Sequence, residues 1–335
     1  MSGTSLLRAR RPELIQRSFD RVTEIVGTTD LSSHEQVQKL LEVPTSELRA
    51  KVGRQIPLGP MVDGDMIHET TTYQALADRS DFKRIFPGVA HCQRILVGDC
   101  QMDVSHSANF LIVSHRINTP DKAAALAPRL ASRTDFLPHT LAQCLSQALR
   151  STDKGVLTAI TTAYGLDATS TPAANTHAST ERVLNFGNDV CFAVAARELA
   201  RAWSLAGLDA FLYRFNCPNP WEGVWKGHAT HILDLAFLLL NYNEYLSKGQ
   251  RQAAERFAKD VITFVHGREP WVAYRSETQE GSMMYNAPAD GAMDRSEFVE
   301  CDGPQTGRRD AMHRFDAPEI LDRLMDGWQM FMAQK

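Results

Sequence analysis

Arg94-Ile95-Leu96-Val97-Gly98-Asp99 is the stretch on which the fold turns. A short aliphatic and β-branched run closed by a glycine and a carboxylate fits a strand buried on both faces. Ala210-Phe211-Leu212-Tyr213-Arg214-Phe215 reads the same way, and residues 271–275 and 282–285 are two further strand candidates. Long helical patterns separate them. Strands alternating with helices predict an α/β layer architecture.

Working outward, residues 14–26 carry apolar positions at helical spacing, ended by Gly27. Ser33 followed by Gln36 has the capping-box spacing of a second helix. The Pro- and Gly-rich stretch from Ile56 to Asp65 predicts a structured loop. Residues 110–113 read as a strand or a helix end. Residues 122–166, rich in Ala and Leu and punctuated by Pro128, Pro138 and Gly155, predict three helices, and residues 169–180 a loop. Further helices are expected over 188–205 with Gly207 as terminator, 228–246, 249–265 and 318–332. No internal repeat is present.

Composition narrows the function classes. The chain has 335 residues, net charge −4, and 36 Lys+Arg against 40 Asp+Glu. A nucleic-acid binder working by bulk basic charge is excluded. The six cysteines stand far apart without a CxxC pair, so neither a zinc ribbon nor a disulfide scaffold is expected. The N-terminal residues lack the apolar core of a signal peptide, and the longest apolar run, Leu235 to Leu240, is far too short to span a bilayer. These features predict a cytoplasmic protein with no membrane partner.

Two segments carry candidate chemistry. The first, Gly98-Asp99-Cys100-Gln101-Met102-Asp103, follows a strand, where open α/β sheets gather functional groups. The second runs from Trp221 to His231. A histidine on a loop after a strand is placed to act as a general base, and His228 is the candidate. His228, His231 and Asp234 also share a helical spacing that would bring them to one metal ion. Trp221 and Trp225 either line an apolar substrate pocket or pack the loop onto the body of the domain. Neither GxGxxG nor GxxxxGK[ST] occurs, and no cofactor is expected.

With the loop Gly59-Pro60-Met61-Val62-Asp63-Gly64, these segments resemble the type-B carboxylesterases, the α/β-hydrolase family that includes cholinesterases, and most closely its fungal branch. The most specific match is Phe215-Asn216-Cys217-Pro218-Asn219-Pro220-Trp221 with Trp225-Lys226-Gly227-His228. The resemblance runs from the first residues to about Trp271. It implies an incomplete α/β-hydrolase fold, the C-terminal part of the sheet with its covering helices, forming a partial domain over residues 1–335. It also implies carboxylic-ester hydrolysis of small-molecule esters, with Asp103 as the triad acid and His228 as the base.

Departures from the family pattern shape the expectation. The family acid is usually a glutamate followed by glycine, whereas Asp103 precedes Val104, which leaves Asp99 as a rival. Three positions after His228, where many members are acidic, stands His231. No G-x-S-x-G nucleophile elbow and no oxyanion loop are found in the 335 residues. The sequence therefore predicts an esterase by descent that is inactive by itself, with a non-catalytic remnant or interaction protein and a metal-binding protein as alternatives. Sheet edges left open by missing neighbours predict self-association.

Overall fold

The computed structural model describes residues 12–52, 60–103, 135–150, 154–166, 176–223, 225–288, 293–300, 308–315 and 317–333. The chain divides into two compact units, one drawn from residues 7–72 and the other running on from Tyr73. The expected strand or helix end at 110–113, the first of the three helices after residue 122, and Gly59 lie outside the described residues.

The smaller unit holds helices α1 (Pro12–Val26), α2 (Ser33–Glu42) and α3 (Thr45–Val52). Gly27 ends α1 at φ 80°, a left-handed position that glycine adopts without a Cβ clash. The capping box of α2 is Ser32 with Glu35, one residue before the expected pair. Both pairs fit the spacing, but the Glu35 carboxylate accepts the Ser32 N–H at 2.9 Å with a charge that an amide lacks. The predicted loop is structured around Asp63, whose Oδ1 accepts the N–H groups of Asp65, Met66 and Ile67 at 3.0, 3.0 and 2.9 Å. Those donors hold its carboxyl below the usual range.

The larger unit is organised on a four-stranded sheet in the order β1-β2-β3-β4. Strand β1 (Arg94–Cys100) pairs in parallel with β2 (Asp209–Phe215), from Arg94 opposite Asp209 to Cys100 opposite Phe215. Strand β3 (Gly281–Tyr285) is parallel to β2, and β4 (Glu297–Glu300) is antiparallel to β3. Residues 271–275 form no strand. Tyr274 lends a single N–H to Ala210 O at 2.8 Å, and Arg275 bridges only Gln279.

Helices cover both faces: α4 (Tyr73–Ala77), α5 (Arg79–Ile85), α6 (Leu137–Ala148), α7 (Lys154–Tyr164), α8 (His177–Asn188), α9 (Val194–Leu205), α10 (Leu233–Leu238), α11 (Lys248–Val265), α12 (Arg308–His313) and α13 (Pro318–Ala333). The two-residue period of a strand sends Ala210 and Leu212 to one face, where they join Leu141, Val183, Phe186, Ala196 and Leu324. Tyr213 and Phe215 go to the other, packing with Phe237, Phe257 and Tyr285. Burial on both faces is why β2 reads as a nearly continuous apolar run.

Two helices depart from expectation. The helix expected to begin near residue 188 starts at His177, where Thr176 and Ser179 form a capping box. It passes through a π turn, Asp189–Ala193, before continuing as α9. The expected helix over 228–246 shrinks to the six residues of α10, and Leu239 and Leu240 emerge 54% and 37% exposed. No described helix is long and apolar enough to cross a membrane.

Candidate active site

Beyond the end of β1 the chain makes one more backbone bond to β2 and then one to the segment that precedes His231. Gln101 N–H donates to Phe215 O at 3.0 Å, and Met102 N–H to Ala229 O at 2.8 Å. An isolated parallel bridge then sets Met102 opposite Thr230. One step further along both segments, Asp103 faces His231, with Oδ1 3.0 Å from Nδ1. Asp103 is buried and His231 partly buried, their side chains 9% and 12% exposed.

Asp103 is held at each of its polar atoms. Its Oδ2 accepts Cys100 N–H at 2.6 Å, and its own N–H donates to Asn188 Oδ1 at 2.6 Å. Because an ionised carboxylate only accepts, the ring nitrogen facing it carries the proton. The lone pair of the neutral imidazole then sits on Nε2. The ring also lies edge-on to Phe192, centroids 6.1 Å apart. Immediately after it Ile232 takes the left-handed conformation, φ 68°, turning the chain into α10. A β-branched residue held there is strained, and such strain collects at functional sites.

The carboxylate–histidine pair thus differs from the expected Asp103–His228 pair. His228 packs its ring edge-on against Trp225, centroids 5.8 Å apart, while its backbone carbonyl accepts Asn219 N–H. Asp99, the rival acid, meets no histidine among the described residues. It is 3% exposed and pairs with Arg309, Nη2 to Oδ2 2.5 Å. Burial pushes its carboxyl up to about 6, with Arg309 pulling the other way.

The metal reading is not supported. Asp234 receives the Tyr213 hydroxyl at 2.8 Å and Leu235 N–H at 2.8 Å, while His231 turns to Asp103. Among the described residues no group of three or more His, Cys, Asp or Glu is placed to hold a metal ion. Burial raises the Asp234 carboxyl above its usual range. Of the two tryptophans, Trp225 is buried between His177 and His228, and Trp221 stacks edge-on with Tyr242 at 5.9 Å. Both pack the loop.

A carboxylate–histidine contact thus joins the segment after β1 to the loop after β2. A model of the carboxylesterase family matches residues 1–286. The chain belongs to the carboxylesterase family. Its architecture resembles that of solved α/β-hydrolase esterases. Manduca sexta juvenile hormone esterase, solved with OTFP covalently attached, aligns with a TM-score of 0.57 at 17% identity, over 95% of this chain and 59% of that one. A pNB esterase aligns with a TM-score of 0.56 at 16% identity, over 91% and 56%. A Geobacillus stearothermophilus carboxylesterase aligns with a TM-score of 0.53 at 19% identity, over 92% and 57%. The chain therefore spans between half and three-fifths of the length of these esterases. No curated protein sequence matches it significantly.

In this carboxylesterase-family chain the sequence reading missed a second layer of residues behind the pair. Asn188 Nδ2 donates to Asp189 Oδ1 at 3.2 Å. Asp189, fully buried, also takes the Tyr164 hydroxyl at 2.9 Å, Arg308 Nε at 3.0 Å and Arg309 Nε at 3.2 Å. One signal was available: Arg308-Arg309 is a doubled cation next to an apolar helix, and buried guanidinium groups require buried carboxylates.

Proposed function

We propose that His231 is the general base of a carboxylic-ester hydrolase site and Asp103 the acid that orients it, acting on small-molecule esters. The observation that carries this reading is the 3.0 Å contact between Asp103 Oδ1, just beyond the end of β1, and His231 Nδ1, in the loop between β2 and α10. Family membership supplies the reaction class. In such a site the base takes the proton of the attacking hydroxyl and returns it to the leaving alcohol, while the acid fixes the tautomer and stabilises the imidazolium. The 335 residues hold no G-x-S-x-G. We therefore assign them the base and the acid, without the serine that would form an acyl-enzyme.

A base and acid alone can take a proton from water as it attacks an activated ester, an assistance of roughly 10²–10⁴-fold for a well-placed substrate. The test is p-nitrophenyl butyrate hydrolysis by the full chain and by His231→Gln, with a fluorophosphonate probe followed by mass spectrometry. Slow hydrolysis that disappears in His231→Gln, and no serine adduct, is the expected result. Equal rates in the two proteins, or a phosphonylated serine, would overturn the assignment.

A further inference from the structure

Helix α12 lies beyond residue 286, where the match to the family model ends. Its first two residues nevertheless reach back to the acid. Arg308 has two ends: Nε donates to Asp189 Oδ2 at 3.0 Å, and Nη2 donates to Gln101 O at 3.1 Å, two residues before Asp103. Arg309 repeats the arrangement one residue along. Its Nε donates to Asp189 Oδ1 at 3.2 Å, and its Nη2 donates to Asp99 Oδ2 at 2.5 Å and Cys100 O at 3.5 Å. The two guanidinium groups therefore bracket the backbone from Asp99 to Gln101 and tie it to Asp189. Asp189 in turn accepts from Asn188, which accepts the N–H of Asp103 itself.

We infer that Arg308 and Arg309 are positioning residues for the Asp103–His231 pair, a double clamp that fixes the acid-bearing loop against the π turn. The inference rests on the functional reading of that pair given above. Two physical points favour positioning over simple charge balance. A guanidinium is a planar fork that can donate at two separated points, so each arginine fixes a distance as well as neutralising a charge. The acid loop also needs such an anchor. Its own backbone pairing ends with the single bridge from Met102 to Thr230, and a displacement of about 1 Å at a catalytic group costs on the order of 10²-fold in rate.

The tautomer of His231 reads the positioning directly, whether or not the chain turns over an ester. In the full chain labelled with ¹⁵N-histidine, the His231 resonances are identified by their loss in His231→Gln. Long-range ¹H–¹⁵N spectra then distinguish the Nδ1–H from the Nε2–H form. The unsubstituted chain is expected to hold the Nδ1–H form. Asp103→Asn is expected to switch it, because Cys100 N–H claims the amide oxygen and the amide NH₂ is left facing Nδ1.

Arg308→Gln is expected to give a mixture of tautomers and to speed exchange of the Asp103 amide hydrogen at least about tenfold. Arg308→Lys guards against a folding failure. It keeps the charge beside Asp189, cannot span to Gln101 O as well, and is expected to show the same two changes with a preserved melting transition. Folded Arg308 variants with unsubstituted tautomer and exchange, beside a switched Asp103→Asn, would overturn the clamp while leaving the pair standing. An unchanged tautomer in Asp103→Asn would instead overturn the pair, and the clamp with it.

Discussion

Asp322, on the last helix, places its carboxylate over the first turn of the helix that begins at Tyr73. Its Oδ1 accepts Tyr73 N–H at 2.8 Å and its Oδ2 accepts Gln74 N–H at 3.0 Å. The first N–H groups of any helix lack internal partners, and a negative charge there also meets the positive end of the helix dipole. Here the cap comes from a residue 249 positions away. Asp322→Ala is expected to cost about 2 kcal/mol, since one buried and one partly buried N–H group lose charge-assisted bonds. Asp322→Asn, which retains one acceptor, should cost less. Urea denaturation of the two variants measures the order.

Gly98 lies where β1 has no room for a side chain. A Cβ there would stand 2.4 Å from the Tyr213 carbonyl oxygen and 2.5 Å from its ring. The carbonyl belongs to the β2 backbone and cannot rotate away. Gly98→Ala is therefore expected to destabilise the fold by about 2–3 kcal/mol, the range for overpacking a well-filled interior. A shifted denaturation midpoint with an unchanged slope would show that stability alone has changed.

Tyr213 has a second role through its hydroxyl, the donor to buried Asp234. Tyr213→Phe keeps the ring in its apolar layer and removes that one bond. The loss of a hydrogen bond to a buried carboxylate costs about 1.5–3 kcal/mol. Because Asp234 is already raised by burial, losing its donor should raise it further, so the deficit in Tyr213→Phe should shrink as the pH falls and the carboxyl takes up a proton. Thermal melts at pH 7.5 and pH 5 check both the size and the direction.

His313 gives the acid side of the stability profile. Its Nδ1 lies 2.5 Å from Arg197 Nη1 and its Nε2 3.4 Å from Arg214 Nη2. Burial, then Arg197, Arg214 and Arg309, push its pKa down to about 2. The unfolded chain binds the proton near 6.5 and the folded one does not, so the contribution is fully present above pH 6.5 and is lost as the pH falls below it. At pH 4.5 the loss is about 2–3 kcal/mol. Asp99 works in the opposite sense below about 6, since its folded form protonates first. His313→Gln should therefore lose less stability than the unsubstituted chain between pH 7.5 and 4.5, by about that amount. Urea midpoints across this range test it.

How much of this was legible in the residues depends on the range of the forces involved. The strand run at 210–215 announced itself because both of its faces are buried and that at 94–99 because its aliphatic side chains pack, partly buried, against the core, and Gly27 and Gly207 marked helix ends by local backbone freedom. The place after a strand pointed to Asp99 and Asp103 alike, and only the family resemblance favoured Asp103. The contact of Asp103 with His231 rather than His228 was not local. It follows the isolated bridge between Met102 and Thr230, which joins the segment after β1 to a loop well beyond the end of β2. The second layer of Asn188, Asp189, Arg308 and Arg309 was hidden for the same reason, because its members meet only once two distant segments have packed. Helix α8 was hidden differently. Its Ser, Thr and Asn residues read as loop by propensity, and tertiary burial overrides that weak preference.

The parallel pairing of β1 with β2 also has a meaning in time. No hairpin can nucleate it, and the segments beyond it finally bring together Asp103 and His231, 128 positions apart. Closing a loop of that length costs about 4 kcal/mol of chain entropy before any contact across it is gained. During refolding, the proton that settles on Nδ1 of His231 is then a late arrival, a clock hand that moves only after the sheet has found its register.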